Sequence, residues 1–178
     1  ESAALILRDR RGAGGKDIGM CNELSINQLL AMHSVIFKPS SREIWVSTYP
    51  WQCGEFIRFC LDDILDSPVP PYHRDSSKDI PEDIFLHSES FRNLLKFKRS
   101  SAGIRSAISS GTEIPEDSIS AYIGLNPLYY NAYNLAGDYF LAKGDEGNAC
   151  ELWKKSLTFE MKLQERNLIE KKIERYKR

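Results

Sequence analysis

Four cysteines, Cys21, Cys53, Cys60 and Cys150, are the side chains best suited to nucleophilic chemistry in this 178-residue chain. A cysteine attacks carbonyl carbon as a thiolate, formed when a nearby base takes the thiol proton or a nearby cation lowers its pKa. The four are scattered without CxxC spacing, so a clustered zinc site is not expected. They read as free or buried thiols, with one disulfide left open. Asn27 stands just ahead of a strand-like run, where an asparagine commonly bonds its own backbone. His33 alternates with Val35 and Phe37 and so shares their sheet face, as a core or interfacial histidine does. Asn22 and Glu23 are weaker polar candidates. Asp9 and Arg10 could form an ion pair, but nothing resembles paired acid and base carboxylates. Gly12, Gly14, Gly15 and Gly19 make a permissive loop. They lack the order of a phosphate-binding loop, and no clear strand leads into them. Trp45, Trp51 and Trp153 read as core residues.

The elements that must position these groups begin with a β-meander in Ser25–Leu61. Met32 to Phe37 alternates, with β-branched and aromatic residues prominent. Lys38–Ser41 is a polar turn containing Pro39, and Glu43–Thr48 is a second strand. In that strand Ile44 and Val46 face one way and Trp45 the other. Gly54–Leu61 suits a third strand or a short helix. Glu1–Arg10 could end a helix or a strand, and the chain offers too little other strand to complete a sheet. Three strands carrying Phe37, Trp45 and Phe56 need a layer packed on at least one face. Residues 1–66 are therefore expected to be the C-terminal segment of a larger domain.

Residues 67–87, with Pro68, Pro70, Pro71 and Pro81, read as a linker, and 88–178 as a helical domain. Phe91, Leu94, Leu95, Ile104 and Ile108 mark a helix that Thr112–Pro115 interrupts. Further helices are expected at Glu116–Gly124, Tyr129–Ala142, Glu146–Phe159 and Met161–Arg178. The last carries seven Lys and Arg against three Glu, a solvated basic face. Tyr133, Gly137, Phe140, Gly144, Ala149, Trp153 and Leu157 match the large, small, aromatic, turn, small, aromatic and apolar positions of a tetratricopeptide repeat. Ala102-Gly103 recurs as Ala136-Gly137 after 34 residues, the period of that repeat. Residues 96–129 then form a degenerate first copy, with Arg99 and Ser106 at expected apolar and aromatic positions, and 130–160 a better second one.

A net charge of −1 gives no global basic field for nucleic acid. No apolar run approaches the roughly 18 residues of a membrane span. No starting Met or signal-peptide pattern is visible; the chain opens mid-pattern at Glu1, as a processed or truncated product would. No cofactor or metal is implied.

Three stretches, LILRDRRG at 5–12, IGMCNELSINQLLAMHSVIF at 18–37 and REIWVSTYPWQCGEF at 42–56, resemble the C-terminal part of the acyl-coenzyme A:6-aminopenicillanic acid acyltransferase family of N-terminal-nucleophile hydrolases. The resemblance implies an α+β fold, a four-layer αββα sandwich to which the meander contributes part of one sheet. It also implies a tetratricopeptide-like tail, found in bacterial members. The implied nucleophile is a cysteine uncovered by autoproteolysis, whose free α-amine serves as base. It would attack a C–N amide to form an acyl-enzyme, with backbone and Asn donors holding the oxyanion.

Glu1 cannot be that nucleophile, and none of the four cysteines stands at its position. The nucleophile is then expected upstream or on a processed partner chain, and the isolated chain should be inactive. Within this frame Asn27 becomes an oxyanion or substrate donor, and His33 a supporting residue. Implied partners are the nucleophile-bearing portion and a small amide or acyl substrate, with a peptide or protein on the helical domain. The cell envelope, periplasm or exterior is favoured by the resemblance alone. The competing expectation is a stand-alone tetratricopeptide adaptor with a β-cap, binding a protein or peptide.

Overall fold

A computed structural model describes residues 2–66 and 75–176. Much of the expected linker, including Pro68, Pro70 and Pro71, lies outside the described residues. The described chain is α+β and mostly helical: one three-stranded antiparallel sheet and seven α-helices. It divides into two units. A strand unit comprises Glu1–Arg10 with Ile26–Ser88, and a helical unit comprises Arg11–Ser25 with Glu89–Arg178. The two units do not divide at residues 66 and 87. Residues 11–25 belong with the helices, because their hydrogen bonds go to residues of that unit. Ile80, Asp83 and Phe85 group with the strands.

In the strand unit, Ser2–Leu7 forms α1, followed by β1 (Val35–Lys38), β2 (Glu43–Ser47), β3 (Phe56–Cys60) and α2 (Leu61–Asp66). Pro39–Ser41 makes the turn between β1 and β2, closed by Arg42 in the left-handed region at φ 51°. The third segment is thus a strand, not a helix. β1 begins later than alternation suggests. Ser34 still meets Ser47, whose N–H donates to its carbonyl at 2.9 Å, but β2 ends there. Met32 and His33 consequently precede the strand and are exposed. Ile80 pairs with Phe56 in an antiparallel bridge along the outer edge of β3.

Register assigns the two sheet faces. Val35, Val46 and Ile57 lie opposite one another, as do Phe37, Ile44 and Phe59. All six are apolar and none is buried; Phe37 is 66% and Phe59 37% exposed. Glu43, Ser47, Phe56 and Arg58 occupy the reverse face and are buried. Within this unit the sheet therefore turns Glu43 and Arg58 inward beside Phe56 and leaves its other, apolar face half-covered, with Phe37 and Phe59 exposed.

The inward polar face is sustained by charge pairing. Arg58 reaches Glu43 Oε1 through Nε at 2.7 Å and Nη2 at 2.6 Å, and Ser41 donates to Glu43 Oε2 at 2.6 Å. The Ser41 hydroxyl, then the Arg58 guanidinium, hold the Glu43 carboxyl at about 2. In the unfolded chain it titrates near ~4.3. A carboxyl depressed by folding stabilises above its unfolded pKa, and that contribution fades as pH falls toward about 2. Glu43→Gln is therefore expected to flatten the acid limb of the denaturation midpoint between about pH 5 and 2. An unchanged slope in that variant would refute the assignment.

The helical unit contains α3 (Glu89–Ser110), α4 (Glu116–Leu125), α5 (Tyr130–Ala142), α6 (Glu146–Ser156) and α7 (Leu163–Tyr176). Its core runs through Phe97, Ile104, Tyr122, Leu135, Trp153 and Ile169. The turn between α5 and α6 follows from Gly144 at φ +81°: Gly144 N–H donates to Leu141 O, and Asp145 N–H to Phe140 O. Asp145 then caps α6 by accepting from Asn148 N–H at 3.0 Å. At Gly137 a Cβ would lie 2.6 Å from Trp153 Cδ1, so only glycine lets the indole sit there. The 34-residue recurrence does not carry this packing to α3. Gly103 faces open space, because the buried stripe of α3 passes through Ser101, Ile104 and Ala107.

Candidate functional site

Apart from the Glu43–Arg58 pair, the strand unit brings the buried Arg8 and Asn27 and the partly buried Arg10 together near Cys53. Arg8 follows α1, its N–H bonded to Ala4 O, which turns its side chain under the Tyr49–Gly54 loop. Its Nη2 donates to Gly54 O at 2.8 Å and Pro81 O at 2.7 Å, and its Nε to Gln52 O at 3.4 Å. The guanidinium lies 5.1 Å from the Phe56 ring centroid. Burial lowers the Arg8 pKa, and Asp83 partly offsets this; a guanidinium remains charged throughout. Arg10 Nη1 donates to Asp83 Oδ2 at 2.6 Å and to Arg8 O at 3.0 Å, with its guanidinium over Phe85. It also lies 3.9 Å from Cys53 Sγ.

Asn27 completes this cluster. Its N–H donates to Asp9 O at 2.8 Å, and its Oδ1 accepts from Leu29 N–H at 2.9 Å. Its Nδ2 faces Trp51 O at 3.1 Å and Cys53 Sγ at 3.5 Å. The structure thus joins Asn27 to Cys53 and to the loop that places Trp51 and Gln52 at positive φ. His33 stands elsewhere in character, exposed in the approach to β1. Asn22 is buried in the helical unit, with Glu23 beside it in sequence.

Cys53 is fully buried, and burial raises its thiol pKa against the opposing pull of Arg10. The thiol is protonated at neutral pH and shielded, the reverse of what a nucleophile needs. Burial likewise raises the Cys21 thiol. All four cysteines are free thiols. Among the described residues no His, Cys, Asp and Glu cluster is arranged to hold a metal. The cluster shapes the Tyr49–Gly54 loop and has no exposed nucleophile. Arg8 and Cys53 were not singled out from sequence as its centre. The only local signal is an arginine ending the apolar LIL run.

The helical unit has a groove of about 420 Å³ between α5 and α7. Its wall carries Asn134, Asp138, Lys172 and Arg175 over Trp153. Lys172 Nζ donates to Asp138 Oδ1 at 2.6 Å and to Asn134 Oδ1 at 2.9 Å, so its charge is largely spent inside the wall. No described helix is long and apolar enough to cross a membrane. Compared with known proteins, the chain matches no family model, no curated protein and no solved structure.

Proposed function

We propose that this chain is the C-terminal portion of a cysteine N-terminal-nucleophile amidase or acyltransferase, cleaving a C–N amide through an acyl-enzyme whose nucleophile lies outside residues 1–178. The helices would form its tetratricopeptide-like tail. The observation that carries the reading is the incompletely covered apolar face of Val35, Val46, Ile57, Phe37, Ile44 and Phe59, on which Phe37 and Phe59 are exposed. Such a face is what a second sheet would cover in a sandwich. The resemblance at residues 5–12, 18–37 and 42–56 supplies the chemistry. Asn27 would contribute by holding the Trp51 and Cys53 loop. His33, exposed ahead of β1, is a candidate for contact with the missing portion or substrate.

The test is reconstitution. Joined to the polypeptide encoded upstream, the chain should hydrolyse an amide panel, and alanine at the N-terminal cysteine should reduce the rate by about a thousandfold or more. Alone it should show no hydrolysis and should bind a hydrophobic dye, which Phe37→Ser with Phe59→Ser abolishes. Activity that survives loss of every upstream cysteine would end the proposal. The α5–α6 hairpin and the groove beside it favour a second reading, a peptide-binding adaptor. A dye-silent monomer with a cooperative melt would select that reading.

A further inference from the structure

Residues 11–25 interrupt the strand unit: the chain leaves it after Arg10 and rejoins it at Ile26. Between those points it lies on the helices as a peptide lies on a receptor. Asn126, 3% exposed, grips the backbone of Met20 from both sides. Met20 N–H donates to its Oδ1 at 2.9 Å, and its Nδ2 donates to Met20 O at 2.8 Å. Asn22 is fully buried, and its Nδ2 donates to Glu160 O at 2.9 Å and Ile18 O at 3.0 Å. Lys162 N–H donates to Glu23 Oε1 at 3.2 Å, and Lys16 pairs with Glu160. Gly19, at φ +79°, passes so close to the start of α5 that a Cβ would stand 2.5 Å from Tyr129 N.

We infer that the helical unit carries a receptor site for a peptide folded into a turn, and that residues 17–23 of this chain, with Gly19 and Cys21 at positive φ, are its occupant in cis. A primary amide that both donates to and accepts from one residue's backbone holds that residue whatever its side chain is. The buried Asn22 and the space that admits only glycine at position 19 add sequence selectivity. The strap thereby provides a non-covalent tie between the segments flanking it and helices α3–α7. This inference is independent of the enzymatic reading above.

The experiment inserts a protease site between Ser88 and Glu89 of the full chain and cleaves after folding. Fragments 1–88 and 89–178 should remain associated in gel filtration at micromolar concentration. An excess of synthetic peptide spanning residues 11–25 should displace fragment 1–88. Asn126→Ala, which removes two hydrogen bonds, should weaken the association about thirtyfold. Gly19→Val should abolish it. Because that variant could misfold, circular dichroism of the cleaved Asn126→Ala pair provides the folded control. Separation of the wild-type fragments on cleavage, failure of the peptide to displace, or an unchanged affinity in Asn126→Ala would each overturn the inference.

Discussion

Trp153→Ala is expected to cost the helical unit about 4 kcal/mol, measured as a shift in its denaturant transition. The indole is fully buried, with Gly137 against one edge and Tyr176 at 5.9 Å between ring centroids. Its Nε1 donates to Asp138 Oδ1 at 3.0 Å and Asn134 O at 3.3 Å. Asp138 also receives Lys172, whose Nζ lies 5.5 Å from the indole centroid. Truncation therefore creates a cavity and removes a donor from a carboxylate in the same step. Trp153→Phe keeps most of the volume and loses only the donor, so a cost of about 2 kcal/mol is expected. A loss below about 1 kcal/mol in Trp153→Ala would mean that α5, α6 and α7 do not depend on this contact.

Arg8→Met should destabilise the strand unit by about 3–5 kcal/mol while leaving the helical transition in place. Methionine replaces the stem but strands the carbonyls of Gln52, Gly54 and Pro81, which the guanidinium now satisfies together. Arg8→Lys should recover only part of this, because an ammonium cannot present the same planar fork. The readout that separates loop collapse from a general loss is hydrogen exchange. Protection at Cys53, whose N–H donates to Pro50 O at 2.7 Å, should fall before protection in β2. Simultaneous loss across the unit would show that Arg8 supports the whole sheet.

Periodicity made the secondary structure legible. Ile44 and Val46 share one sheet face and Trp45 the other, as their alternation implies. The helices from Glu116 onward fall close to the limits that Gly124, Gly144 and the Tyr129–Ala142 pattern suggest. What alternation cannot convey is which face is covered. It groups residues by side, whereas burial depends on whatever packs there. Glu43 and Arg58 lie inside because they neutralise each other, a fact visible only once β2 and β3 are in register. The glycine-rich stretch around Gly19 is a loop, as its glycines imply, but where it docks is not written locally. Its partner Asn126 is 106 residues away from Met20, and no local pattern links them. Asn27 was identified as a polar residue, but its association with Cys53 required the fold.

The strap also has a consequence for biosynthesis. Met20 is made 106 residues before the Asn126 that receives it. At about 5–20 residues per second, a ribosome needs roughly 5–20 s to cross that interval. During that time an apolar stretch including Ile18, Met20 and Leu24 has emerged while its docking surface has not been translated. A nascent chain with this arrangement is exposed to chaperone capture early and completes its helical half last.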